Sequence, residues 1–195
     1  MVALGADFFA CSPYKFLGPH CGAVAGRPEL LAQLHPDKLL PSSDAVPERF
    51  ELGTLPYELM IGTAAAVDFL ADTVPGAGSR RQRLLRSLSA IETYEDELRA
   101  LVESELLRLP GATLYSRARH RTPTLLVTFA ERDPAVLYHG LAELGVNAPA
   151  GSFYAYEPAR HLGLDETGGL RIGIAPYNDA NDVDRLLDGL ARCLR

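Results

Sequence analysis

A long amphipathic segment, set off by glycine and proline, constrains the fold of this chain more than any other feature. Between Gly78 and Pro110, apolar residues recur at the spacing of one helix face, from Leu84 to Leu106. Proline followed by glycine stops a helix, so Pro110 marks its end. The sequence therefore predicts one long helix over 79–109.

The glycines just before this helix also predict a domain boundary near residue 78. Residues 1–78 would be the last part of one domain, with the apolar run Ala6–Ser12 as a buried strand and Ala23–Gly26 as its returning partner. Residues 79–195 would form a complete second domain in which strands and helices alternate, as in a compact α/β layer. The other predicted elements are helices over 28–34 and 57–73, strands over 112–116, 124–130, 152–156 and 169–175, and helices beginning near Asp133 and Asp179.

Composition narrows the class of protein. The chain has 195 residues, is 47% hydrophobic and carries a net charge of -6. The acidic balance argues against nucleic acid, which needs a basic surface. No apolar run is long enough to span a bilayer, and the N-terminus lacks a signal-peptide pattern. The three cysteines are an odd, sparse set without zinc-type spacing, which predicts a reducing, cytoplasmic setting and no metal.

Lys15 is the first candidate catalytic residue. Among 19 basic residues only Lys15 and Lys38 are lysines, and an arginine cannot form a Schiff base. Lys15 follows an apolar strand, where burial favours the neutral amine that attacks an aldehyde. The glycines after it let the backbone approach a bound group closely, and the hydroxyl of Ser12 is a candidate phosphate donor. The alternative interpretation is a surface lysine at a turn.

The pattern around Lys15 resembles a known family. Ser12–Gly22 reads Ser-x-x-Lys-x-x-Gly-Pro-x-x-Gly after Gly-Ala-Asp and an apolar strand. It is similar to the Schiff-base segment of the class V aminotransferase and cysteine desulfurase family. The resemblance implies that Lys15 binds pyridoxal 5′-phosphate (PLP) and that Ser12 contacts the phosphate. Many members have histidine just before the lysine, where this chain has Tyr14, so that histidine's contact is not carried over.

A second motif, Arg49–Thr54 with the sequence Arg-Phe-Glu-Leu-Gly-Thr, resembles the family's Arg-Phe-Glu-x-Gly-Thr element. By itself the motif predicts only a turn. The resemblance implies that Gly53 and Thr54 belong to the cofactor site and that the threonine reaches the PLP phosphate of the neighbouring subunit. It therefore implies a homodimer with shared active sites.

A third motif is Gly169–Ile174, followed by Tyr177 and Asn178. An arginine that alternates with apolar residues on a strand is more often ion-paired and structural. Its planar guanidinium is also the natural bidentate ligand for a carboxylate. The segment is similar to the family's Arg-x-Ser/Gly-x-x-x-Tyr-Asn signature, which implies that Arg171 binds the α-carboxylate of an amino acid.

The loop Gly145–Ala155 resembles the loop that carries the nucleophilic cysteine in desulfurases. Tyr154 lies about where that cysteine would be, and none of the three cysteines falls in the loop. Persulfide formation needs a thiolate. The resemblance of this loop is therefore to members that are not desulfurases. The histidines show no metal spacing, and His20 alone lies near Lys15.

The resemblance implies PLP-dependent transferase fold type I, with 1–78 as the C-terminal part of the large domain and 79–195 as the small C-terminal α/β domain. The complete protein would act on a small amino acid, by transamination, epimerisation or C–S lysis. The family's N-terminal half supplies the aspartate that makes the PLP ring an electron sink. We therefore expect weak or no PLP binding by this chain alone. The alternative is a non-catalytic fragment that dimerises or binds a partner, and that needs a separate N-terminal half.

Overall fold

The computed structural model describes residues 2–116 and 118–195, which form two compact units. The first unit extends to Leu88 and the second runs from Ser89 to Arg195. The helices and strands in chain order are β1 (Phe8–Cys11), β2 (Ala23–Gly26), α1 (Pro28–Gln33), α2 (Tyr57–Asp72), α3 (Arg80–Leu106), β3 (Ala112–Leu114), β4 (Thr124–Phe129), α4 (Pro134–Glu143), β5 (Ala150–Gly151), α5 (Tyr156–His161), β6 (Gly169–Gly173) and α6 (Ala180–Cys193).

The first unit contains a two-stranded antiparallel ribbon. β1 and β2 pair from Phe8 opposite Gly26 to Cys11 opposite Ala23, so the predicted returning strand is confirmed. The predicted burial of β1 is wrong, because Phe8 and Phe9 are each 46% exposed. These two side chains point to opposite faces of the ribbon, and neither face is covered within this unit.

In the first unit, one buried hydroxyl connects α3 to the C-terminal end of α2. Ser87 on α3 is fully buried. Its hydroxyl accepts a hydrogen bond from the backbone N–H of Val74 and donates one to the C=O of Ala71, both at 3.1 Å. The last carbonyls of a helix lack partners within the helix. Ser87 therefore closes the C-terminal end of α2, where Leu70 and Ala71 are buried.

The framework of the second unit is a four-stranded antiparallel sheet in the order β3–β4–β6–β5. β4 and β6 pair from Thr124 opposite Gly173 to Val127 opposite Leu170. Alternate residues of both strands are buried, because successive side chains of a strand point to opposite faces. Helices cover one face, which confirms the predicted compact α/β layer. The buried core comprises Val102, Leu106, Leu125, Val127, Phe129, Leu137, Leu141, Ala148, Leu170, Ile172, Val183, Leu186 and Leu190.

The helix ends of the second unit follow the predicted signals. The carboxylate of Asp133 accepts the N–H of Ala135 at the start of α4, with proline as the first helical residue. Gly145 adopts a φ of 76° just after α4, the left-handed conformation that glycine tolerates best. Asp179 and Asp182 form a capping box at the start of α6, in which each side chain accepts a backbone N–H from the other residue.

One predicted strand is wrong. Residues 152–156 form a tight turn and the first residue of α5, and only Ala150–Gly151 pairs with β6. The chain leaves the sheet there because the backbone turns with positive φ at Phe153 and Tyr154.

The part of the chain that the structure describes has no membrane-spanning helix, no disulfide and no cluster of metal-binding side chains. None of its helices has the length and hydropathy needed to cross a membrane. Its cysteines, Cys11, Cys21 and Cys193, are all free thiols. It brings together no group of three or more histidine, cysteine, aspartate or glutamate side chains suited to a metal ion.

We predict that Ser87→Ala destabilises the chain. The change leaves the N–H of Val74 and the buried C=O of Ala71 without this partner, at a cost of about 1–3 kcal/mol. Ser89→Ala is the matched control, because Ser89 is an exposed serine on the same helix and its loss should cost less than about 0.5 kcal/mol. Urea unfolding of the full chain measures both, and equal midpoints for the two variants would contradict the assigned role of Ser87.

We also predict a pH-dependent contribution from Asp182. A hydrogen bond from the side chain of Asn178 and then one from the N–H of Asp179 lower the pKa of Asp182. Burial opposes these two hydrogen bonds, and the charge of Arg185 adds the smallest lowering effect. Because the folded state favours the carboxylate, its stabilisation is present above the ordinary aspartate pKa and is lost as the pH falls through the lowered value.

The measurement for Asp182 is the free energy of unfolding of Asp182→Asn and of the unmodified chain across acidic and neutral pH. We expect a difference at neutral pH that shrinks as the pH falls. Asp184→Asn removes the same charge from the same helix without altering the capping box, and serves as the control. A difference that is constant with pH would contradict the role of the carboxylate.

Candidate functional site

Lys15 lies on a short, tightly hydrogen-bonded turn directly after β1. Residues Pro13–Phe16 form one turn of 3₁₀ helix, in which the N–H of Lys15 donates to the C=O of Ser12 at 2.9 Å. The N–H of Gly18 then donates to the C=O of Pro13, also at 2.9 Å. A side chain at Gly18 would lie 2.9 Å from that oxygen, so the return of the chain requires glycine.

The ammonium group of Lys15 is exposed, so the burial predicted from the preceding apolar strand is wrong. The strand itself is uncovered, and it therefore cannot desolvate the turn that follows it. Nζ lies 5.6 Å from the centroid of the Tyr14 ring, and that ring stacks on His20 at 5.0 Å. Within residues 2–116 and 118–195, Lys15 Nζ forms no salt bridge and no hydrogen bond.

The second lysine has a different environment. Lys38 Nζ lies 3.1 Å from a carboxylate oxygen of Asp44 and donates to the C=O of Ser42 at 2.9 Å. Its side chain is mostly buried, with 19% exposed. Of the two lysines, Lys38 therefore holds a loop together, whereas the amine of Lys15 is available.

The other candidate cofactor residues of the first unit lie on two segments. Ser12 precedes the turn of Lys15, and its side chain makes no capping hydrogen bond there. Gly53 and Thr54 are exposed in the segment between the 3₁₀ turn Glu48–Phe50 and α2, where Gly53 has a φ of 73°. Ser12 and Lys15 therefore lie on one segment of the first unit, and Gly53 and Thr54 lie on another.

Arg49, the first residue of the Arg49–Thr54 motif, has a structural role that its sequence did not reveal. Its guanidinium donates to the backbone C=O groups of Asp44 at 2.7 Å and Leu34 at 3.1 Å. The loop between α1 and the Glu48–Phe50 turn is thus fastened to this arginine by hydrogen bonds from a rigid planar group.

Arg171 lies on β6, on the face of the sheet opposite the helices. Its neighbours Leu170 and Ile172 are both buried in the core, whereas Arg171 is exposed. The guanidinium carbon lies 4.0 Å from the centroid of the Phe153 ring. In the described part of the second unit its guanidinium forms no ion pair, so the structural interpretation of an ion-paired strand arginine does not apply.

Phe153 is the neighbour of Arg171 that sequence reasoning missed. It lies in the turn Ser152–Ala155, which is closed by a 2.9 Å hydrogen bond from the N–H of Ala155 to the C=O of Ser152. Tyr154, at the position matched to the desulfurase cysteine, is fully exposed. An aromatic residue far along the chain from the arginine gives no local sequence pattern by which the contact could have been predicted.

A cavity of about 260 Å³ in the second unit lies beside β6, but Arg171 does not line it. Its walls are parts of α3 and α6, the segments 145–148 and 172–174, and Tyr177 and Asn178 of the third motif. Asn178 and Asp182 in these walls already bond to each other.

Comparison with known proteins places these features in a family. The family model Aminotransferase class-V matches residues 1–186. The cysteine desulfurase CsdA of Escherichia coli is 30% identical over 204 residues, which cover 98% of this chain and 46% of CsdA. A probable cysteine desulfurase of Pseudomonas aeruginosa is also 30% identical, over 98% of this chain and 46% of its own length. The chain therefore spans about half the length of the curated relatives it matches.

Solved structures agree in fold. A crystal structure of E. coli CsdA superposes with a TM-score of 0.79 at 29% identity, covering 99% of this chain and 47% of that one. The apo cysteine desulfurase of Thermococcus onnurineus NA1 also has a TM-score of 0.79, at 22% identity, and shares the fold. The match of the family model along most of the chain, together with the mixed α/β architecture, shows that the chain belongs to the PLP-dependent class V aminotransferase family and has the fold of its C-terminal part.

Proposed function

We propose that this chain is the C-terminal portion of a PLP-dependent enzyme acting on a small amino acid, with Lys15 as the lysine that binds the cofactor. The observation that carries the proposal is the contrast between the two lysines. Lys38 is held by Asp44 and a backbone carbonyl, whereas the amine of Lys15 has no acidic partner among the described residues. A lysine reacts with an aldehyde through its neutral amine, and an ion pair with a carboxylate favours the unreactive ammonium form.

The residues around Lys15 fit part of the cofactor. The amine of Lys15 suits the aldehyde, and the hydroxyl of Ser12 at the start of the same turn suits the phosphate. Thr54, next to Gly53, offers its exposed hydroxyl to the phosphate of the neighbouring subunit. PLP, when bound, supplies an electron sink for the carbon that loses a proton or a substituent. The exposure of Lys15 indicates that the walls which would exclude water belong to another segment.

Two residues of this chain then have defined roles toward the substrate. Arg171 binds the α-carboxylate through its N–H groups, a bidentate arrangement that orients the amino acid. Lys15 Nζ would be the base that takes the proton from the substrate Cα. Thr54 contributes to the site of the neighbouring subunit in a homodimer with shared active sites.

Among the reactions of such enzymes, desulfuration is disfavoured. The residue at the tip of the Ser152–Ala155 turn is Tyr154, and a phenol cannot form a persulfide. Cys21 is instead part of the first unit, with Sγ 3.6 Å from the hydroxyl of Thr63, and Cys193 packs against the core of the second unit. Transamination, epimerisation and C–S lysis all remain compatible with Lys15 and Arg171.

The first unit supports the proposal that a separate N-terminal half completes the protein. β1 and β2 are apolar on both faces, with Val24 70% exposed beside the half-exposed Phe8 and Phe9. Strands that are apolar on both faces are typical of sheets covered on both sides, and an isolated two-stranded ribbon is marginally stable. In this proposal residues 1–78 are the end of the large domain and 79–195 are the small domain.

The same exposed apolar faces also favour the second candidate, a non-catalytic module that binds a partner. The two candidates differ at Lys15, because a binding module has no use for a free amine at that turn. They can therefore be separated by covalent capture of the cofactor.

We predict that PLP becomes attached to Lys15 when the chain is combined with a polypeptide that supplies the family's N-terminal half. Borohydride reduction followed by peptide mass spectrometry should find a pyridoxyl group on Lys15. Lys15→Arg should abolish the modification, because arginine keeps the charge but cannot react. Lys38→Arg is the matched control and should leave it unchanged.

The chain alone should give a much weaker signal than the combination, because its lysine is open to water. A pyridoxyl group on Lys38, or none on Lys15 in either preparation, would contradict the enzyme proposal and favour the binding module.

A further inference from the structure

The turn that carries Phe153 is under conformational strain. Phe153 and Tyr154 have φ values of 55° and 63°, and the hydrogen bond from Ala155 N–H to Ser152 C=O closes the turn around them. Positive φ at both central residues is typical of type I′ turns, which strongly favour asparagine, aspartate and glycine. Two consecutive aromatic residues in this conformation persist only where the surrounding structure holds them.

The base of the turn is fixed to the strand of Arg171. The N–H of Arg171 donates to the C=O of Pro149 at 2.8 Å, and Gly151 pairs with Gly169 across the β5–β6 ladder. The two segments approach so closely that a side chain at Gly168 would lie 2.1 Å from the carbonyl of Gly151. The turn therefore emerges directly beside Arg171.

The far side of the turn is also anchored. α5 begins at Tyr156, two residues after the tip, and Ala159 on this helix is buried. The N–H of Ala159 donates to the C=O of Ala155 at 2.9 Å. The strained pair is thus held between a sheet on one side and a helix on the other, and Phe153 is half-buried while Tyr154 is fully exposed.

From this geometry we infer that Phe153 is a positioning residue for Arg171. The ring lies against the guanidinium carbon at 4.0 Å, and no carboxylate of the described residues pairs with this arginine. A ring that occupies one face of a guanidinium holds its plane and leaves the N–H edge free to donate. Phe153 therefore orients Arg171 for bidentate binding of a carboxylate. An acidic side chain could also orient the guanidinium, but it would neutralise the charge that binds the substrate.

This role rests on the proposed function, since the orientation of Arg171 serves catalysis only where it binds the substrate carboxylate. The strained turn holds the ring of Phe153 at a position where a relaxed turn would have asparagine or glycine. The ring in turn keeps the long side chain of Arg171 from sampling other rotamers before substrate binds.

The experiment follows the Nε–H resonance of Arg171 by NMR in the full chain, alone and combined with a polypeptide that supplies the family's N-terminal half. Stacking on Phe153 should shift this resonance through the ring current. Phe153→Leu should remove the shift and Phe153→Tyr should keep it. Tyr156→Leu is the matched control, because Tyr156 lies 5.6 Å from Arg160 and its loss leaves Arg171 stacked.

The second measurement is the affinity of Arg171 for carboxylate, titrated with L-alanine and with acetate as probes. Phe153→Leu should weaken binding about two- to fivefold, the size expected for one exposed cation–aromatic contact. Phe153→Tyr should bind as the unmodified chain does, and Arg171→Gln should not bind at all.

The possible outcomes separate the two proposals. Loss of the shift together with weaker binding in Phe153→Leu supports the positioning role, even if no pyridoxyl group forms on Lys15. Unchanged carboxylate affinity in Phe153→Leu overturns the positioning role and leaves the role of Arg171 intact. Absence of carboxylate binding by Arg171 in both preparations overturns its substrate role and the role of Phe153 with it.

Discussion

The antiparallel pairing of β6 between β4 and β5 is the constraint on which the second unit depends. This pairing places Leu170 and Ile172 in the core and therefore places Arg171 on the open face of the sheet. A shift of register by one residue would bury the guanidinium and expose both apolar side chains. Because the two apolar neighbours are buried, Arg171, the candidate residue for binding a carboxylate, is exposed on the other face of the sheet.

The two units differ in how completely they bury their apolar residues. The second encloses a continuous core between one sheet face and three helices. The first buries few apolar side chains and leaves both faces of its ribbon exposed, including Phe8, Phe9 and Val24. In the proposed complete protein, this exposed apolar surface would be covered by other protein. The turn of Lys15 extends from the ribbon, so such a cover would also change the environment of the amine.

Local signals along the chain predicted the elements of the second unit well. The long helix, the aspartate caps before α4 and α6 and the glycine after α4 all lie where the sequence placed them, because each depends on residues within one turn of the helix end. The predictions that failed concern burial and turns. The segment predicted as a strand over 152–156 contains three aromatic residues, a type common in strands, but its left-handed turn is imposed by anchors at β6 and α5.

The amino-acid sequence was sufficient to identify the family, the lysine at its turn and the arginine on its strand, because these depend on residue type and spacing along the chain. Folding in three dimensions determined the environment of each group. It paired Lys38 with Asp44 and, among the residues that the structure describes, gave Lys15 no acidic partner. It also brought Phe153 to within 4.0 Å of the arginine. Such contacts join residues distant in sequence, and they exist only once strands and helices have packed and excluded the alternatives.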